Sequence, residues 1–212
     1  MPKTPLSIDV VSDMVCPFCL IGVRRLEQVL AATPDVDAKV TFHAFLLDPT
    51  VPLEGRDLRE SLKRKFGGDP DQMFGRVEAM AKETGIPLDF AKVRRYASTV
   101  RAHTLVRHAE EKGTQQALAG ALFEAYFLEG RDIGDLDTLV AIAGAHGFAE
   151  EETRRLLSDQ AELEETRAEA QAAAGQGISG VPYFVFGGKI AVSGAQPKEM
   201  FHQAIARAIA AT

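Results

Sequence analysis

Cys16 and Cys19 are the only two cysteines of the 212-residue chain, and they stand in a Cys-Pro-Phe-Cys run. Two thiols separated by two residues can exchange with a disulfide: one attacks as a thiolate, and the other displaces the product or closes the pair. Apolar Leu6 to Val11 before them reads as a short strand, and Pro17 to Ala32 after them as an amphipathic helix. The pair therefore falls at a helix start, where unpaired backbone N–H groups and the positive end of the helix dipole favour an anion. Such a setting can draw a thiol pKa from about 8.5 down to between about 3.5 and 7.5. Pro17 suits the first helical turn, where a missing N–H costs little. Half a zinc site is a rival reading, but zinc usually takes about four ligands. No second cysteine pair exists, and His43, His103, His108, His146 and His202 form no ligand-spaced cluster beside the first. Two buried structural cysteines are the remaining alternative.

Two further residues could serve these thiols. Asp13, in the loop that delivers Cys16, is either a proton-transfer partner for Cys19 or a loop residue bonding its own backbone. His103 is expected inside a helix, where it either turns toward the cysteines and stabilises a thiolate or lies on the helix face. His43 falls in a strand and is expected to be packed or edge-exposed.

The elements that must hold these groups follow from periodicity. A second strand is expected over Val40–Leu47, parallel to the first if the helix between them is a crossover. Asp48 to Gly55 breaks regular structure, and the period then becomes helical for over a hundred residues. Leu58, Leu62 and Phe66 mark one helix. Asp69-Pro70 opens another, as cap and first-turn proline, with Met73, Val77 and Met80 on one face. Helices follow over Ser98–Lys112, Gln115–Glu129 and Leu136–His146, and over Glu150–Ala174, the last in one piece or two. After the glycine-rich loop from Gly175 to Gly180, Tyr183–Phe186 and Lys189–Val192 flank Gly187-Gly188 as an antiparallel hairpin. Lys198–Ala211 is the closing helix. The chain thus begins β-α-β and ends β-β-α.

Composition is that of a globular protein, 46% hydrophobic and 25% charged. The net charge of −6 argues against nucleic acid as a partner. No apolar stretch reaches the roughly 18 residues of a membrane span, so no membrane partner is expected. The start, Met1-Pro2-Lys3-Thr4-Pro5, lacks the apolar core of a signal peptide, which places the expected location in the cytoplasm. There a disulfide is more often catalytic than structural.

Cys16-Pro17-Phe18-Cys19 at a strand-to-helix junction, and Gly180-Val181-Pro182-Tyr183-Phe184-Val185 before a hairpin, resemble the thioredoxin fold. About 120 helical residues between the two halves resemble the DsbA family. Asp13 to Gly22, Phe45-Leu46-Leu47-Asp48-Pro49, Ala102-His103, Gly130-Arg131-Asp132-Ile133, Ser179 to Pro182 and Val192 to Pro197 are similar to its FrnE-like branch. That branch is related to 2-hydroxychromene-2-carboxylate isomerases and kappa-class glutathione transferases. The resemblance implies an α/β, thioredoxin-like fold over residues 1–48 and 175–212, with an all-helical insertion over 49–174. It implies Cys16 as nucleophile, Cys19 as resolving thiol and Pro182 as a cis-proline beside them. Val181 would offer its backbone to an extended peptide or to glutathione, in the manner of strand addition. Phe18 stands where tryptophan is most often expected and lacks the indole N–H. Phe18, Val181, Asp13 and His103 are the candidate substrate-contacting residues.

The activity implied is thiol–disulfide exchange or isomerisation on protein or peptide disulfides, with no cofactor and no metal, and with glutathione as an optional co-substrate. A homodimer is an open option. Two alternatives stand beside it. One is a glutathione-dependent isomerase or transferase of small molecules, of the kind that polyketide metabolism would use. The other is non-enzymatic, a chaperone or metal-binding module.

Overall fold

The computed structural model describes residues 3–211. Met1, Pro2 and Thr212 lie outside it, and with them part of the expectation drawn from the N-terminus.

β1 (Thr4–Ser12) carries Leu6, Ile8 and Val10 on its buried face, then becomes apolar on both faces at Val11. It is the hydrogen-bonded centre of a four-stranded sheet in the order β2-β1-β5-β6. Helix α1 (Pro17–Ala31) leads to β2 (Val36–Ala44), which lies parallel to β1 with Leu6 opposite Ala38 and Val10 opposite Phe42. β5 (Tyr183–Phe186) runs antiparallel to β1, and β6 (Ile190–Ser193) antiparallel to β5. The Gly187-Gly188 turn between β5 and β6 takes φ of 58° and 66°, a region where a Cβ would be strained. The closing helix α9 (Lys198–Ala210) packs on α1 and on β1, β5 and β6. Phe201 of α9 meets Phe184 edge-on, with centroids 4.9 Å apart, a geometry that adds about 1 kcal/mol beyond the area buried.

Between β2 and β5 lie seven helices among the described residues: α2 (Leu58–Phe66), α3 (Pro70–Glu83), α4 (Val100–Ala109), α5 (Gln115–Phe127), α6 (Leu136–Gly144), α7 (Glu150–Ser158) and α8 (Gln160–Gly175). They are not a separate body on a stalk. α4, α5 and α8 pack directly against β2, and their apolar residues join those of the sheet in one continuous core. β2 is an edge strand, and Gln115 covers part of that edge. Its Oε1 accepts the Phe42 N–H at 2.9 Å, and its Nε2 donates to the Phe42 carbonyl at 3.2 Å. This satisfies backbone groups that an edge would otherwise leave open.

The structure corrects three expectations. β2 begins at Val36 and ends at Ala44, rather than spanning Val40–Leu47. The Val36-Asp37-Ala38-Lys39 alternation belongs to the strand, whereas Leu46 and Leu47 turn away to line cavities near the thiols. The helix expected over Ser98–Lys112 is shorter, because Ser98 and Thr99 are buried ahead of its first turn and residues 110–113 form a turn. A two-stranded sheet, β3 (Arg56–Asp57) with β4 (Arg95–Tyr96), lies where the sequence reading assigned no element. The long C-terminal helical stretch falls in two pieces. Asp159 separates them, its side chain accepting the Ala161 N–H at 2.9 Å as the N-cap of α8.

Candidate active site

Cys16 is the N-cap residue of α1, in extended conformation with φ −90° and ψ 113°, and Pro17 occupies the first turn. The β1–α1 turn is closed by the Cys16 N–H donating to the Asp13 carbonyl at 2.9 Å. The Cys16 carbonyl starts the helix, accepting from Cys19 N at 3.0 Å and Leu20 N at 3.3 Å. These bonds fix both thiols on the first turn, where the orphan N–H groups of the helix converge.

Both cysteines are free and buried, Cys16 at 3% exposure and Cys19 at 0%. The Cys16 thiol donates to the Val181 carbonyl at 3.6 Å. Burial pushes the Cys19 thiol well up from its ordinary value, and the neighbouring Cys16 pushes it the same way. Cys16 thus sits nearer the surface with a backbone partner, and Cys19 lies behind it in the apolar interior.

The second wall comes from the far end of the chain. The Val181–Pro182 peptide bond is cis, and Pro182 is held by Gly194 N–H donating to its carbonyl at 2.8 Å. Gly22 of α1 lets this loop approach: a Cβ there would stand 3.0 Å from Pro182 Cγ and 3.1 Å from Phe184 Cζ. Phe18, 40% exposed, presents its ring beside the thiols.

Asp13 is 1% exposed. Its Oδ2 accepts the Leu47 N–H at 2.8 Å, which ties the β1–α1 loop to the segment after β2. His103 of α4 is buried as well, with Nε2 3.5 Å from Asp13 Oδ1. Cys16, Cys19, Phe18, Val181, Pro182 and Asp13 therefore lie around one point. His103 reaches it through Asp13.

An apolar cavity of about 260 Å³ opens on Cys16. Its walls include Val15, Phe18 and Val181 from the sheet side, and Leu62, Phe74, Val77 and Phe127 from the helices. Lys65 is its one charged lining residue. Sequence reasoning did not find this cavity, since its residues come from seven separate stretches and carry no local pattern. Among the described residues, no group of three His, Cys, Asp or Glu side chains is placed to hold a metal ion. No helix of the described residues is long and apolar enough to cross a membrane.

A thioredoxin-like sheet, a Cys-x-x-Cys helix start facing a cis-proline loop, and helices inserted between the halves define the class. The DSBA-like thioredoxin domain model matches residues 7–206, and the chain belongs to that family. A probable DsbA oxidoreductase from Streptomyces coelicolor is 33% identical, with a TM-score of 0.88 over 98% of this chain and 91% of that one. A 2-hydroxychromene-2-carboxylate isomerase superposes with a TM-score of 0.73 at 21% identity, over 95% of each chain. The cytosolic disulfide reductase DsbM from Pseudomonas aeruginosa, solved with glutathione, gives 0.60 at 16% identity over 84% of each chain. The last two likenesses concern fold alone.

Proposed function

We propose that the chain is a thiol–disulfide oxidoreductase acting through Cys16 and Cys19 on the disulfides of proteins or peptides. One observation carries this reading: Cys16 stands at the N-cap of α1, facing the Val181 carbonyl, with Cys19 one turn behind it. The Cys16 thiolate attacks one sulfur of a substrate disulfide, forming a mixed disulfide and releasing the other sulfur as a thiolate. Cys19 then attacks Cys16, the protein disulfide forms, and the second substrate sulfur leaves. The backbone of the chain around Val181 can pair with an extended substrate segment, while Phe18 offers it apolar surface.

We place this chemistry in the cytoplasm, where the glutathione pool would keep the pair mainly reduced. Reduction or isomerisation of disulfides suits that poise better than net oxidation. The location of DsbM in the cytosol supports the placement.

The experiment is turnover of a protein disulfide such as insulin. Cys16→Ser should abolish reduction, and Cys19→Ser should accumulate a mixed disulfide on Cys16, visible by mass under non-reducing conditions. Full activity in the Cys16→Ser protein would overturn the reading.

The apolar cavity favours a second reading, a glutathione-dependent reaction on a small apolar molecule. A comparable apolar cavity of roughly 150 Å³ takes up benzene, so 260 Å³ would admit a larger ring system. Turnover of an aromatic substrate by the Cys19→Ser protein with glutathione would favour it.

A further inference from the structure

The cavity beside Cys16 is larger than thiol chemistry needs. It holds about 260 Å³, and its floor is made of core residues, Phe74, Phe90 and Phe127, each 5% exposed or less. A cavity of roughly 150 Å³ takes up one six-carbon ring. A single substrate side chain, even an aromatic one, would therefore leave about 100 Å³ of this space empty. Well-packed proteins and complexes leave few such voids, so the volume points to a separate small molecule. In the same proportion the cavity holds about ten carbons.

By volume alone a fused ring and a chain fit equally; the walls distinguish them. The rings of the floor turn their faces to one another. Phe74 and Phe90 stack with centroids 4.2 Å apart and planes 13° apart, and Arg59 lies over the Phe74 ring at 5.1 Å. Phe127 stands at 85° to Phe90 and at 79° to Tyr126. A planar ligand gains most from a free ring face, whereas this cluster presents mainly edges. Much of the remaining wall is aliphatic, with Leu47, Leu58, Leu62 and Val77. Edges and methyl groups suit a flexible hydrocarbon chain.

The mouth carries one charge. The stem of Lys65 lines the cavity, and its Nζ donates to the Leu47 carbonyl at 3.0 Å without an acidic partner among the described residues. Lys65 also borders a neighbouring surface depression shared with Arg56, Arg64 and Asp48, and Asp48 is already paired with Arg56 at 3.6 Å. In a chain of net charge −6 this is a local excess of positive charge. Phe18 and Phe66, 40% and 59% exposed, add apolar surface at the rim. An apolar pocket that ends at an unpaired cation complements an apolar tail bearing one anion.

We propose that this cavity binds a medium-chain fatty acid, a straight-chain monocarboxylate of about ten carbons, with its tail on the aromatic floor and its carboxylate at Lys65. Cys16 lines the same cavity, so the bound acid covers the thiol and competes with any disulfide or alkylating agent that approaches it. No covalent bond forms. The site goes beyond the dithiol reading and does not depend on it.

The test titrates the whole reduced chain with decanoate by isothermal calorimetry. One decanoate should bind per chain, with butanoate more than about a hundredfold weaker. Decylamine, the same chain with the opposite charge, should bind more weakly than decanoate. The exposed Lys65→Gln should weaken decanoate by about two- to fivefold and narrow its advantage over decylamine. Saturating decanoate should slow alkylation of Cys16 by iodoacetamide at least about fivefold, and butanoate at the same concentration should not. Val77→Phe, which fills the cavity, should abolish binding, and the wild-type and Lys65→Gln titrations decide the matter even if that variant folds poorly. Absence of saturable decanoate binding, equal affinity for decylamine, an unchanged alkylation rate, or tighter binding of planar 2-naphthoate would overturn the proposal. None of these readouts requires turnover of a disulfide, so failure here leaves the dithiol reading standing, and failure of insulin reduction leaves this site standing.

Discussion

Gly22 is the residue through which α1 touches the Val181–Pro182 loop, and Gly22→Ala tests that contact. Two effects oppose each other. Alanine is favoured over glycine in a helix interior by about 1 kcal/mol. Its methyl would stand 3.0 Å from Pro182 Cγ and 3.1 Å from Phe184 Cζ, closer than carbon atoms pack. Neither neighbour can yield freely. Pro182 is held through its carbonyl by Gly194 at 2.8 Å, and Phe184 is fully buried against Phe201. Overpacking of this kind costs roughly 1–3 kcal/mol, so the net loss is about 1 kcal/mol. For a chain of this size that lowers the melting temperature by about 2–4 °C. The strain also pushes the loop off Cys16, whose thiol donates to the Val181 carbonyl at 3.6 Å. Thermal unfolding followed by circular dichroism reads the first effect, and the alkylation rate of Cys16 with iodoacetamide reads the second. The expected result is a lower melting temperature with alkylation faster by about two- to threefold. A variant as stable as wild type with unchanged alkylation would refute the claim that this glycine sets the helix-to-loop distance.

Two other perturbations have worked signs. His43 lies between Glu169 at 3.8 Å and Asp9 at 2.9 Å, and these carboxylates raise it to about 9 despite partial burial. Its stabilising contribution is therefore whole below about pH 6.5 and is lost as pH rises through 9. Over a third of the ring is open to water, so the effect is about 1 kcal/mol after screening. Urea midpoints at pH 6 and pH 10 should differ more in wild type than in His43→Gln, and equal differences would contradict the assignment. Gln115→Leu keeps the bulk but strips both hydrogen bonds from the Phe42 backbone at the edge of β2. It should cost about 2–3 kcal/mol in denaturant unfolding, and a loss under about 0.5 kcal/mol would show that water replaces the glutamine.

The cysteine-bearing helix start was legible because strand, turn and amphipathic helix each leave a local signature. Leu6 to Val11, then Pro17 in the first turn, then Val23, Leu26 and Val29 at helical spacing carry it. The Gly187-Gly188 hairpin was legible for the same reason. The sheet β3–β4 was not, since two residues per strand have no period to read. β2 was placed too late because Phe45, Leu46 and Leu47 extend the apolar run, whereas Leu46 and Leu47 lie past the strand and wall cavities near the thiols. The break at Asp159 had a signal in Ser158-Asp159, a capping sequence inside a helical stretch. Asp13 could be suspected from its place before Cys16. Its pairing with His103 could not, because ninety residues separate them and helix phase alone does not say which face of α4 meets the β1–α1 loop.

The account stands on Cys16 and Cys19 acting as a reversible couple. The direct measurement is their equilibrium in glutathione buffers of graded potential, with the redox state of the full chain fixed by alkylation and read by mass. A single two-electron transition, with reduced and internally disulfide-bonded protein as the only species, is the predicted result. Glutathione bound to Cys16 at every oxidising poise, with no Cys16–Cys19 disulfide, would contradict it.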